Sequence, residues 1–122
     1  MMKVLIVEDY DDTRELLRLL VRSRGCDTAE ATNGREAVEA AAREKPDLIL
    51  MDLNLPVLDG WEATRRIHLA EETSHIPVVA ISAQCTGDWK ERALDAGARE
   101  CLEKPVNFAA VDSLLKRYPA SC

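Results

Sequence analysis

Short unbroken apolar runs alternate with amphipathic stretches along the chain. Val4-Leu5-Ile6-Val7, Leu48-Ile49-Leu50-Met51 and Val78-Val79-Ala80-Ile81 contain no polar position. A strand that is apolar at every position must be covered on both faces, as the central strands of a parallel sheet are. Two weaker strand-like stretches, 27–31 and 99–102, carry charges and are assigned to the sheet edges. Helical patterns fill the gaps. Residues 13–24 place Leu16, Leu17 and Leu20 at helical spacing, with Gly25 as a stop signal. Asn33 caps a helix carrying Ala37, Val38 and Ala41 that ends before Pro46. Residues 61–72 carry Ala63, Ile67 and Ala70, and 88–96 stop at Gly97. Asn107 caps a last helix on which Phe108, Val111, Leu114 and Leu115 share a face. Leu16, Leu17, Leu20, Val111 and Leu114 are assigned to the core. The βα order, repeated about five times, predicts an α/β doubly wound parallel sheet with helices on both faces and right-handed crossovers.

At 122 residues the chain is expected to form one domain spanning 1–122. Its 47% hydrophobic and 31% charged residues can build a core, which argues against disorder. A net charge of -6 repels phosphate backbones, so direct nucleic-acid binding is disfavoured. No apolar run approaches the roughly 20 residues of a membrane helix, so no membrane insertion is expected. Met1-Met2-Lys3 leads straight into the first apolar run, without the apolar stretch of a signal peptide, so a cytoplasmic location is expected. Cys26, Cys85, Cys101 and Cys122 include no CxxC pair to start a zinc site. In the cytosol all four are expected to remain thiols, with the terminal Cys122 frayed.

In such a sheet, ligands bind beyond the C-terminal ends of the strands. Glu8 and Asp9 follow the first apolar run, Asp52 the third, Ser82 ends the fourth and Lys104 follows the fifth strand. Three converging carboxylates repel one another when partly desolvated. A hard divalent cation offsets that, and Mg²⁺ favours one or two carboxylates, water and phosphate oxygens. With Lys104 and the Ser82 hydroxyl added, the set is equipped for phosphoryl transfer to an aspartate. Asp52, at the end of the middle strand, is the candidate nucleophile, and Glu8 and Asp9 the metal holders.

These residues resemble the receiver domain of two-component response regulators over essentially the whole chain. The likeness rests on Glu8-Asp9, on the stretch from Asp52 through Asn54 and Pro56 to Asp59-Gly60, on Ser82-Ala83, on Ala96-Gly97-Ala98 and on Lys104-Pro105, all in order. The resemblance implies the flavodoxin-like strand order 2-1-3-4-5. It implies that Asp52 accepts a phosphoryl group from a histidine kinase or phosphotransfer protein. Mg²⁺ would be held by Asp9, by Glu8 largely through water, by Asp52 and by the backbone carbonyl of Asn54. Ser82 and Lys104 would sense the phosphoryl group, and Lys104-Pro105 would be a cis peptide. The switch and partner face falls on Ser82, Ala83, Trp89, Cys101 and Pro105. Receivers commonly carry Tyr or Phe three residues before the lysine, whereas Cys101 stands there in this chain and is too small for the same repacking.

Other assignments are plainer. Asn33-Gly34 and Asp59-Gly60 are read as turn formers, with glycine tolerating positive φ. His68 and His75 are surface residues, and Trp61 packs at a helix start. Arg14, Arg18, Arg22 and Arg24 belong to a solvated face. Two alternatives remain: a Mg²⁺-dependent aspartyl-phosphate phosphatase and a binding-only receiver-like module. Against the phosphatase, Asn54 stands where a general acid is needed. Against a binding-only role, Asp52, Ser82 and Lys104 are all present. The chain ends soon after its last helix, so it reads either as a stand-alone receiver or as a piece of a longer protein such as a hybrid kinase.

Overall fold

The computed structural model describes residues 2–118. Cys122 therefore lies outside the described residues. The elements run β1 (Lys3–Val7), α1 (Asp11–Arg22), β2 (Asp27–Ala31), α2 (Gly34–Glu44), β3 (Leu48–Asp52), α3 (Gly60–Leu69), β4 (Val78–Ser82), α4 (Gly87–Ala96), β5 (Glu100–Glu103) and α5 (Phe108–Arg117). All strand pairs are parallel, in the order β2-β1-β3-β4-β5. The doubly wound α/β expectation and its strand order hold, with the two charged strands at the edges.

Strand alternation divides the core. Val4, Ile6, Leu48 and Leu50 point to the side covered by α1 and α5, where Leu17, Val21, Val111 and Leu114 meet them. Leu5, Val7, Ile49 and Met51 point to the side covered by α2 and α3, through Ala37, Ala40, Ala41, Ala63 and Ile67. A smaller cluster of Leu53, Ala80, Ala93 and Ala98 sits under α4. Among the described residues no helix is long and apolar enough to cross a membrane.

The helix ends differ from the sequence expectation where side chains intervene. α1 starts two residues early, because Asp11 and Asp12 suit the positive end of the helix dipole. It stops at Arg22, and Gly25, at φ +83, lies in the following turn. α3 ends at Leu69 because the buried Thr73 hydroxyl donates to the Ile67 carbonyl at 2.7 Å and turns the chain. At α2, Asn33 Oδ1 accepts from Glu36 N at 2.8 Å, while Glu36 Oε1 accepts from Thr32 N at 3.0 Å. Gly97 closes α4 at φ +115, as its sequence position predicts.

Gly60 corrects the turn-former reading of Asp59-Gly60. Its φ is not in the left-handed region, and a Cβ there would lie 2.3 Å from the Asp52 carbonyl oxygen. Close approach of α3 to the end of β3 requires this glycine. Gly34 is similar, its absent Cβ falling 1.9 Å from the Leu58 carbonyl oxygen. Leu16, assigned to the core, is 49% exposed because it borders an apolar cavity of ≈ 360 Å³ between α1 and Pro105-Val106. Phe108, placed on one face with Val111, Leu114 and Leu115, is 50% exposed; it opens α5, and the Arg24 guanidinium stands 5.7 Å from its ring.

Candidate functional site

The C-terminal ends of β1, β3 and β4 deliver Glu8, Asp52 and Ser82 to one edge of the sheet, all three buried. Glu8, Asp9 and Asp52 each offer a carboxylate oxygen, and these atoms lie within 4.8 Å of one another. Asp9 is exposed. Lys104, just after β5, reaches over them, its Nζ donating to Glu8 Oε1 at 3.0 Å and to Asp52 Oδ2 at 3.2 Å. The other Asp52 oxygen, Oδ1, accepts from Asn54 N at 3.0 Å. Tyr10 N donates to Glu8 Oε2 at 3.2 Å, and Arg14 Nη1 donates to the Glu8 carbonyl at 3.1 Å. Arg14 also pairs with Asp11 and Glu30, so it is a brace between β1, α1 and β2 rather than part of a solvated face.

Electrostatics follow from this crowding. Burial pushes the Glu8 carboxyl up, contact with Asp52 pushes the same way, and Lys104 offsets only part of it. Burial pulls the Lys104 ammonium down, but hydrogen bonds and charge from Glu8 and Asp52 outweigh it, so the net shift is upward. The three acids and Lys104 border an open polar cavity of ≈ 670 Å³.

Ser82 ties the site to the neighbouring edge. Its carbonyl accepts from Lys104 N at 2.8 Å, and its Oγ accepts from Gln84 N at 3.3 Å. Lys104-Pro105 is cis. A second cavity of ≈ 290 Å³ brings Asp52, Ser82, Ala83 and Lys104 together with Trp61 and Trp89. The indole rings of Trp61 and Trp89 stand 5.0 Å apart, and the Arg92 guanidinium lies 4.1 Å from the Trp61 ring. Pro105 instead borders the apolar cavity beside Leu16. His68 and His75 are exposed, as expected.

One expectation fails outright. Cys85 and Cys101 are bonded to each other, with Cα atoms 5.7 Å apart. They are 16 positions apart in sequence, so no short-range motif advertised the pair. The fold brings the β4–α4 loop back over β5, and that contact is not visible in cysteine spacing. Cys26 is free and half-buried. The Trp61–Trp89 pair was equally hidden, since it joins two helix starts distant in sequence.

A parallel 2-1-3-4-5 sheet with acids, a serine and a lysine at its carboxyl edge is the arrangement of a receiver-type signalling domain. Residues 4–116 match the response regulator receiver domain, and the chain belongs to that family. Among curated relatives, the polar-differentiation response regulator DivK of Brucella anthropi is 36% identical over 115 residues, covering 94% of each chain. Among solved structures, the receiver domain of the sensor histidine kinase PA1611 of Pseudomonas aeruginosa is 35% identical, with a TM-score of 0.89 over 96% of each chain. That structure holds a magnesium ion coordinated in its active-site cleft. The chemotaxis protein CheY4 of Vibrio cholerae is 27% identical, with a TM-score of 0.91 over 98% of this chain and 99% of that one.

Proposed function

We propose that this receiver is a phosphorylation-dependent switch in which Asp52 accepts a phosphoryl group from a histidine kinase or phosphotransfer protein, in a Mg²⁺-dependent reaction. The observation that carries this reading is the Asp52 carboxylate itself, buried at the end of the central strand, with Lys104 on one oxygen and a backbone N–H on the other. An Asp52 oxygen attacks phosphorus, the bond from phosphorus to the donor's imidazole nitrogen breaks, and its electron pair stays with that nitrogen. An acyl phosphate remains on Asp52. The Lys104 ammonium has three donors, and Glu8 and Asp52 use two, so one is left for a phosphoryl oxygen. The Ser82 hydroxyl supplies a second donor on the β4 side.

The donor set fits a hard divalent cation: three carboxylates face one ammonium, and all available ligands are oxygens. Asp9, Glu8, Asp52 and the Asn54 carbonyl are the residues that would hold Mg²⁺, which when bound neutralises charge on the transferring group. The phosphorylated state signals, in the cytoplasm, through protein contacts at Ser82, Ala83, Trp89 and Cys101, and at Pro105 where it borders the cavity beside Leu16.

Incubation with acetyl phosphate and Mg²⁺ tests the reading. The expected result is an acid-stable, base-labile adduct seen by intact mass, lost when Mg²⁺ is chelated and absent in Asp52→Asn. Turnover of a broad set of phosphomonoesters without an adduct favours a phosphatase instead.

A further inference from the structure

The Cys85–Cys101 bridge ties together the chain segments beside the two residues proposed to sense phosphorylation, Ser82 and Lys104. Cys85 lies three residues after Ser82, and Cys101 three residues before Lys104. Cys101 is paired in register with Ala80 of β4 and packs against the cluster that contains Leu53, the residue after Asp52. Cys85 N also donates to Glu103 Oε1 at 3.2 Å, next to Lys104. The whole of α4 lies inside the covalent loop. α4 buries one residue, Ala93, and its N-cap Thr86 makes no side-chain cap hydrogen bond. By contrast, α2 and α3 each bury four residues. Weak packing marks a segment that opens locally at low cost, so a covalent tether has its largest effect there.

We propose that Cys85 and Cys101 form a reversible thiol–disulfide site that couples redox state to the response at Asp52. This rests on the phosphoryl-acceptor reading above. In the cytoplasm disulfides are usually transient, catalytic or redox-sensing rather than structural. Both cysteines are half-buried, within reach of a small thiol or a dithiol protein. A thiolate of the reductant attacks one bridge sulfur, the S–S bond breaks, and the other cysteine leaves as a thiolate and takes up a proton. A second thiol of the reductant resolves the mixed disulfide. The bridge gains two electrons and two protons, and the reductant becomes a disulfide. Oxidised, residues 83–98 are pinned to β5 and resist rearrangement. Reduced, they respond.

The test uses the full chain in oxidised and reduced glutathione buffers. Intact mass after reduction gains about 2 Da, peptide mapping places the new thiols at Cys85 and Cys101, and amide exchange over 83–98 speeds up. Beryllium fluoride with Mg²⁺, a phosphoryl mimic, is then titrated by the fluorescence of Trp61 and Trp89. Half-saturation of the reduced form is expected at about fivefold lower concentration or less, within the range of ordinary coupling energies. Cys85→Ser matches reduced wild type in both buffers. A bridge that never opens in these buffers, or two redox forms with the same half-saturation, overturns the proposal. If 83–98 loosens on reduction but neither form responds to beryllium fluoride, the coupling is overturned together with the phosphoryl reading of Asp52.

Discussion

Glu8 is the residue whose environment does most to define the site. It is buried, and the raised carboxyl means the fold favours its protonated form. Its stabilising contribution is therefore present below the ordinary value of 4.5 and is lost as pH rises through the raised folded value. At neutral pH without a divalent cation, Glu8→Gln is expected to be more stable than wild type in urea titrations, because the neutral amide avoids the burial and Asp52 repulsion that raise the Glu8 carboxyl. Added Mg²⁺ is expected to raise the melting temperature of wild type and to raise that of Glu8→Gln less. Val57 is strained in the opposite sense. It is β-branched, 78% exposed, and sits at φ +67 in a turn where Leu58 N bonds the Pro56 carbonyl. Val57→Asn gives up no packing and tolerates that conformation, so denaturation should show a gain of about 0.5–1 kcal/mol. No change would mean that the turn carries no strain. Tyr118 works at the alkaline end. Burial and the hydrogen bond to Glu100 push its phenol up to about 12 from 10.0. Its contribution is complete below pH 10 and is lost as pH climbs through about 12, so Tyr118→Phe should flatten the alkaline fall in stability.

Among the elements, the junction of β3 and α3 positions the acceptor. Asp59 Oδ1 accepts from Glu62 N at 2.8 Å to start α3, and Gly60 N donates to the Leu53 carbonyl at 3.1 Å. Gly60→Ala must push α3 away from the Asp52 carbonyl, and overpacking of this kind costs about 1–3 kcal/mol. The variant should unfold at lower urea and form the acetyl-phosphate adduct more slowly; wild-type values for both would show that the junction yields freely. The pattern of apolar runs and caps made these elements readable from sequence, because strands buried on both faces leave no polar trace and Asn33 and Asn107 cap where expected. Helix ends were less legible, since Thr73 and the acidic start of α1 act through contacts that periodicity does not register.

At the scale of the molecule, three strand ends and the start of one loop carry the site, and the sheet order alone makes them neighbours. Glu8, Asp52 and Lys104 lie far apart in sequence, and Lys104 and Glu8 meet across 96 positions. Their gathering was legible because Glu8 and Asp52 each follow an apolar run and Lys104 follows the charged edge strand that completes the βα series. The bridge between Cys85 and Cys101, the Trp61–Trp89 pair and the Arg14 brace were not, because each joins loops or helix faces whose approach depends on how far α4 and α1 lean on the sheet. Asp52 is the proposed acceptor, and every other residue of the site acts through it.

Trapping the acyl phosphate reads that claim directly. After incubation with acetyl phosphate and Mg²⁺, borohydride reduces an aspartyl phosphate to homoserine, and peptide mass spectrometry locates it. The account predicts homoserine at position 52 and at no other aspartate. Homoserine at Asp9 or elsewhere, or none under conditions where the folded protein binds Mg²⁺, contradicts it.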